Sequence, residues 1–409
     1  MKLWMKYLIA VALGIGTGFF LPPIEALEEA LTFLGGLSIN VGRYVLFPLV
    51  FFSLPIAVCQ LKRLGKFRTL FIRAILAMLI TTAVMLAVGM AVALVLPSDR
   101  IPITIQEDLD YSNPGFSETV NRIVSPNLFQ VFTGDASLLL PLCVLALLLG
   151  IFFHFDKEQT GPTFNLFDSL SRIFYRLNWY IIKLQAFLIF FISFVTIRSL
   201  KGMSDFSFYS QHIIILTISS ALVLFIFYPI TLYFVGGRGN PLNHVYSIMT
   251  PLLTGLMSGD IFFNYGILTA HLKENEGISR EVGGITTPLL TLFARSGTAL
   301  VGGASMLLII RSYTSLDLTP YQILWVFFFS FIYSFALSHA PRLGIYALLS
   351  LLCGSYGRGL DKGYILLLPM LPVLIGFSAL LDTVSIALLS RITAYNMDLL
   401  DEVPSKEFL

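Results

Sequence analysis

Apolar runs long enough to cross a lipid bilayer follow one another through the first half of the chain, at about 4–21, 31–61, 67–96, 136–155, 173–197 and 212–235. A bilayer core about 30 Å thick needs about 20 apolar residues in an α-helix, so each run predicts a transmembrane helix. Beyond residue 240 the pattern changes. The run 246–272 is broken by Pro251, Gly255, Ser258, Gly259, Asp260 and Gly266, and 285–310 is interrupted at Arg295-Ser296-Gly297-Thr298. The run 321–353 is interrupted at Ser338-His339-Ala340-Pro341-Arg342, and the last, 363–395, carries Asp382.

Charge between the runs orients them. Lys62, Arg63, Lys66 and Arg68 mark a cytoplasmic loop. Glu25, Glu28 and Glu29 before this pair of spans, and Asp99, Glu107, Asp108 and Asp110 after it, belong outside. The N-terminus is then cytoplasmic, as are 154–176 and 236–244. The first run, behind Lys2 and Lys6, reads as a first transmembrane helix: it is nearly long enough to span, and no A-x-A cleavage site precedes a soluble segment. Non-helical backbone at membrane depth persists only where protein or a water-filled cavity covers it. The polar midpoints of 246–272 and 321–353 therefore read as re-entrant hairpins, and Lys273 to Glu281 stays inside. The expected fold is an all-α membrane protein of eight transmembrane helices plus two opposed re-entrant helical hairpins, with both termini cytoplasmic in a cell (inner) membrane.

Composition narrows the class. Of 409 residues, 56% are hydrophobic and only 12% charged, with a mean hydropathy of +0.83. Soluble domains carry about 25% charged residues, so the main solvent is lipid. A net charge of +2 gives no reason to expect nucleic acid as a partner. Cys59, Cys143 and Cys353 sit in apolar runs without metal-ligand spacing and read as packing residues. The five histidines, His154, His212, His244, His271 and His339, are scattered, so no metal set or activated nucleophile argues for an enzyme. No filter motif or ring of like charge argues for a channel.

Broken segments in corresponding positions of two halves point to a transporter site. Here they also resemble a family. Gly277-Ile278-Ser279, Pro288 and Gly297-Thr298-Ala299-Leu300 are similar, in order and spacing, to the stretch of glutamate transporters that ends in Asn-Met-Asp-Gly-Thr-Ala-Leu. Ala340-Pro341 resembles the Gly-Val-Pro tip of their second hairpin, and Asp382 falls where the eighth span carries the substrate-binding aspartate. Arg43 to Phe51 is similar to the family's second span, and Ser125-Pro126-Asn127-Leu128-Phe129 to the segment before the fourth. The chain thus resembles a divergent member of the glutamate transporter family, the dicarboxylate/amino acid:cation symporters. That resemblance implies a homotrimer, an elevator mechanism and a small amino acid or dicarboxylate as substrate. It also implies a scaffold, mainly 1–66 and 120–200, and a transport domain, mainly 67–98 and 207–396, with hairpins at about 246–272 and 321–353.

The resemblance breaks at the cation sites. The family's Asn-Met-Asp reads Ala294-Arg295-Ser296 here, and a second cation-binding aspartate aligns with Thr393. A hard cation needs an oxygen cage, usually carboxylates and carbonyls. With those ligands gone and Arg295 beside the unwound backbone, sodium coupling is expected to be lost or weak, and no cofactor is expected. Arg295 lies near the middle of its span, which argues against snorkelling to an interface. A charge at that depth costs at least about 2.5–3.5 kcal/mol, so Asp260, Asp382 or a substrate carboxylate should partner it. The arginine that reads a side-chain carboxylate aligns with Ser385, and the amide that holds the main-chain carboxylate with Leu389. Helical spacing sets Asp382, Ser385, Ile386 and Leu389 on one face. Candidate substrate residues are therefore Asp382, Thr298, Ser385, Ser258, Arg295 and Arg342. Candidate cation-replacing or coupling residues are Arg295, Ser296, Asp260 and Thr393. Asp260, Asp382 and His339 are also proton-carrier candidates. Arg391, away from Asp382 on the same span, reads as interfacial or structural. His339 and Arg342 read equally well as loop-surface residues. The family's default, a sodium-coupled acidic amino-acid symporter, and a receptor that has lost transport remain open.

Overall fold

A computed structural model describes residues 2–22, 24–96, 99–102, 130–133, 139–155, 157–202, 206–236, 240–314, 317–337, 340, 342–401 and 403–409. Helices α1 (Leu3–Phe20), α2 (Glu25–Arg43), α3 (Leu46–Arg63) and α4 (Phe67–Val95) open the chain. The run 31–61, expected as a single span, is divided by a turn at Tyr44–Val45. Pro48 explains the division: it has no N–H for the Tyr44 carbonyl, and its ring would clash there in a continuous helix. Three positions into α3, that missing donor costs nothing. Glu25 and Glu28, expected in a loop, form the first turn of α2, where the helix dipole favours negative charge.

Next come α5 (Leu139–Phe155) and α6 (Lys157–Lys201). Helix α7 (Phe206–Leu222) runs through one π-helical turn, Val223–Phe227, into α8 (Tyr228–Val235). The short α9 (Pro241–Ser247) leads to a helical pair, α10 (Met249–Ser258) and α11 (Ile261–Glu274). Gly259 turns the chain between them with φ +62°, a left-handed conformation that glycine adopts without the Cβ penalty. The pair lies antiparallel: Asn264 on α11 donates to the Pro251 carbonyl at 2.9 Å and accepts from the Thr254 hydroxyl at 2.6 Å. At about 15 and 21 Å, neither helix is long enough for a bilayer.

Helix α12 (Arg280–Phe293) ends where Ala294 and Arg295 leave helical geometry, and α13 (Ser296–Tyr313) resumes. A second short pair follows, α14 (Pro320–Ser334) and α15 (Gly344–Tyr356), and α16 (Leu371–Tyr395) closes the bundle. Thr319 and Gln322 form a capping box that starts α14, with Pro320 in the first turn. Ser338, His339 and Pro341, at the expected second tip, and the Ser125–Phe129 motif lie outside the described residues.

Among the described residues, seven helical segments are long and apolar enough to cross a membrane. The chain is thus a multi-pass, all-helical membrane protein. Burial separates the segments. Only 22% of the α1 window is covered by protein, whereas 94% of the window in Arg280–Tyr313 and 89% in Leu371–Tyr395 are. Helices α12, α13 and α16 therefore form the centre. Helices α4, α10, α11 and α15 pack around them, and α1, α2, α3, α5 and α6 make a second group against α10, α11 and α12. The α1–α6 contact is fixed by the buried Tyr7 hydroxyl, which donates to the Ile182 carbonyl at 2.7 Å.

Candidate functional site

The centre is built where α13 begins. The helix break frees the backbone around Arg295 to Thr298, and α16 crosses it closely. A Cβ on Gly297 would stand 2.5 Å from the Asp382 nitrogen, so only glycine allows this approach. The contact presents Asp382, fully buried, to the start of α13. The Thr298 N–H donates to Asp382 Oδ1 at 2.9 Å, and the Thr298 hydroxyl to Oδ2 at 2.7 Å. Arg295, 1% exposed, brings Nη1 to 3.6 Å from Oδ2. Its Nε and Nη2 make no hydrogen bond among the described residues. Of the partners open to Arg295, Asp382 is thus in direct reach.

Asp260 has another partner. It caps α11, accepting from the Phe262 and Phe263 amides at 2.9 and 3.2 Å. Its other oxygen receives Arg43 of α2, Nε at 2.8 Å and Nη2 at 2.5 Å. Asp260 also lies within electrostatic reach of Arg295. Positive and negative charges therefore alternate from α2 inward: Arg43, Asp260, Arg295, Asp382. Arg43 was legible as a charge inside an apolar run, but its partner, far away in the chain, was not.

A second polar link joins the α10–α11 pair to α16. Asn264 Nδ2 donates to the Thr383 hydroxyl at 2.9 Å, one residue beyond Asp382. Ser258, at the tip, donates to the Thr254 carbonyl at 2.6 Å and accepts from the Asp260 amide at 3.3 Å. Gly344, which opens α15, lies against the Thr298 side chain, so the second short pair also reaches the site. Arg342, two residues earlier, is exposed.

The remaining residues named from the sequence turn elsewhere. Ser296 shares a hydrogen bond of 2.9 Å with Thr82 of α4. Ser385 is buried and donates to its own helix, at the Leu381 carbonyl, with the Met85 sulfur 3.1 Å away. Thr393 bonds the Leu389 carbonyl at 2.7 Å and, three turns from Asp382 and about 16 Å along α16, lines a groove with Arg73 and Asn396. Among the described residues no cluster of three metal-ligating side chains occurs.

Arg391 is buried rather than interfacial, and holds a structural junction. Glu276, in the turn between α11 and α12 and 2% exposed, pairs with Arg391 and accepts from the Ser247 hydroxyl. His244 Nδ1 stands 3.2 Å from the same carboxylate. Burial alone would raise the Glu276 carboxyl, but the contacts with His244 and Arg391 outweigh it and hold it below its ordinary value. This junction ties the base of the first short pair to α9 and α16.

Residues 3–388 match the model of the sodium:dicarboxylate symporter family. The chain is also similar to a C4-dicarboxylate transport protein of Dechloromonas aromatica (strain RCB), with 24% identity over 196 residues, 44% of this chain and 42% of that protein. It is similar to C4-dicarboxylate transport protein 2 of Ralstonia nicotianae (strain ATCC BAA-1114 / GMI1000) as well, with 24% identity over 199 residues, 44% of this chain and 43% of that protein. Each alignment thus spans less than half the length of the curated relative.

Proposed function

This chain belongs to the sodium:dicarboxylate symporter family, and from that premise we propose that it is a secondary transporter of a dicarboxylate or a small amino acid that works without sodium. The observation that carries the reading is Arg295. A guanidinium is buried at the helix break 3.6 Å from Asp382, and its Nε and Nη2, which make no hydrogen bond among the described residues, could meet a carboxylate. Arginine presents a planar fork that matches a carboxylate in two hydrogen bonds. Asp382 and the Thr298 hydroxyl supply the acceptor and donor that would hold the other end of the substrate.

The same residue argues against a cation cage. The two carboxylates at the centre, Asp260 and Asp382, are engaged by Arg43 and by Arg295 with Thr298. A sodium ion would meet a fixed positive charge instead of spare oxygens. The family description favours sodium coupling and, with the names of the relatives, a dicarboxylate; the second reading is therefore a sodium- or proton-coupled symporter of glutamate, aspartate or a dicarboxylate. A receptor that no longer transports is the third.

For the motion, we adopt eight spans and two re-entrant hairpins, α10–α11 and α14–α15, with elevator movement of the domain that holds Asp382 and a homotrimeric assembly in the cell membrane. What supports the hairpins is their length and, for the first of them, the tight glycine turn at Gly259 and the Asp168–Arg280 ion pair of 2.6 Å. That pair joins the segment before the fifth span to the segment after the first hairpin, which supports a topology with both on one side.

The test is thermal stability of the purified protein across amino acids and dicarboxylates, in sodium and choline salts at matched ionic strength. A ligand at 100 times its Kd stabilises the folded state by about 2.7 kcal/mol. We expect a dicarboxylate to raise Tm equally in both salts. A rise seen only in sodium would overturn the sodium-free reading.

A further inference from the structure

A crevice of about 470 Å³ opens between α3, α6, α11 and α12, remote from Asp382 in the chain and built of different residues. Four cations line it: Arg172 and Arg176 on α6, Lys273 on α11 and Arg280 on α12. Two carboxylates partner them. Asp168 accepts from Arg280 at 2.6 Å and Arg172 at 3.0 Å, and Glu274 lies 3.3 Å from Lys273. Two positive charges are left over. Arg176 has no hydrogen bond or ion pair among the described residues.

The crevice does not end in water alone. Arg172 and Arg176 also line an adjoining groove with Ile173, Leu177 and Tyr180, three apolar or aromatic residues exposed on the outer face of α6. Tyr175 and Trp179 border the crevice on the same helix, and Lys273 sits 4.2 Å from the Tyr175 ring centre. Amphipathic aromatics of this kind collect at the membrane–water boundary. In the topology proposed above, on which this placement rests, loop charge puts 154–176, and the first re-entrant hairpin 273–281, on the cytoplasmic side, where the leaflet is anionic.

We propose that this crevice binds the phosphate headgroup of an anionic phospholipid of the cytoplasmic leaflet, with an acyl chain along Ile173, Leu177 and Tyr180. The headgroup neutralises the surplus charge and bridges α6 to the α11–α12 turn, as the Asp168–Arg280 pair already does at one edge. Arginine forks suit phosphate oxygens, and among the described residues these four cations form ion pairs with Asp168 and Glu274 alone.

The test uses purified full-length protein in mixed micelles at fixed ionic strength, without substrate. Tm is followed while phosphatidylglycerol, phosphatidylcholine or inorganic phosphate is titrated. Phosphatidylglycerol should raise Tm, and phosphatidylcholine should not. Each cation near an anionic lipid surface contributes about 1 kcal/mol, about fivefold in affinity. Arg176→Gln should weaken the response about fivefold, and Arg176→Gln with Lys273→Gln about 25-fold. Because Arg176 is exposed and has no ion pair among the described residues, Arg176→Gln should retain the fold. Equal responses to the two lipids, or an unchanged response in the double variant, would overturn the site. A rise with inorganic phosphate as large as with phosphatidylglycerol would overturn its assignment to lipid. No substrate takes part, so failure here leaves the transport reading untouched.

Discussion

Removing Asp382 from the centre isolates the energetic role of Arg295. In Asp382→Asn the Thr298 contacts can be partly kept, because an amide oxygen still accepts, but the guanidinium at 3.6 Å loses its nearest counter-charge while only 1% exposed. Breaking a buried pair by removing one partner costs about 3–5 kcal/mol, since an uncompensated charge stays buried. At about 2 °C per kcal/mol, the low end of the range for large domains, Tm should fall by about 6–10 °C. Arg295→Met leaves a carboxylate that Thr298 still satisfies with two hydrogen bonds, so its loss should be smaller, about 1–3 kcal/mol. The double variant should resemble Arg295→Met alone, which corresponds to a coupling equal to the Asp382→Asn loss, about 3–5 kcal/mol. The assay is a double-mutant cycle read from thermal unfolding of the four proteins at one scan rate, in choline salts. Additivity within about 0.5 kcal/mol would refute a direct Arg295–Asp382 interaction, and with it the idea that a substrate carboxylate competes for this guanidinium.

Two further outcomes follow from the geometry. Gly297→Ala forces a methyl group toward the Asp382 backbone nitrogen, 2.5 Å away, so α13 and α16 must separate; a loss of about 1–3 kcal/mol is expected in thermal unfolding, together with loss of dicarboxylate-induced stabilisation. Glu276 has a folded carboxyl held below its ordinary value, so its stabilisation is present above about pH 4.5 and disappears as pH falls through the folded value. Glu276→Gln should therefore lower Tm at pH 7, and the gap to the unmodified protein should close below about pH 4.5; a gap of constant size down to pH 3.5 would contradict the Arg391–Glu276 account.

Much of the frame was legible because lipid imposes a simple rule. Backbone groups in hydrocarbon must bond within their own segment, so long apolar runs declare helices and interruptions declare covered sites. The breaks at Gly259 and at Arg295-Ser296-Gly297-Thr298 were visible in this way; one helix does end before Gly259, and the second break lies slightly earlier than expected, at Ala294–Arg295, with Ser296 already helical. The division at Tyr44–Val45 was legible in principle from Pro48, but apolar periodicity ran through it without change. Arg295 and Asp382 stood out because each is a charge inside an apolar run.

Pairing was a different matter. Arg295 had Asp260, Asp382 and substrate as possible partners, and residue order does not rank them. Tertiary structure decided it through one small residue: Gly297 lets α16 come close enough to bring Asp382 to Thr298 and Arg295, while Asp260 is turned toward Arg43 by the cap of α11. Ser385 shares a helix face with Asp382, yet its hydroxyl is taken up by the Leu381 carbonyl beside Met85. The sequence by itself determined that this is a multi-pass membrane protein with charges at its broken centre. Which charge meets which was decided only by helix packing, because distances between segments remote in the chain depend on how closely backbones can approach.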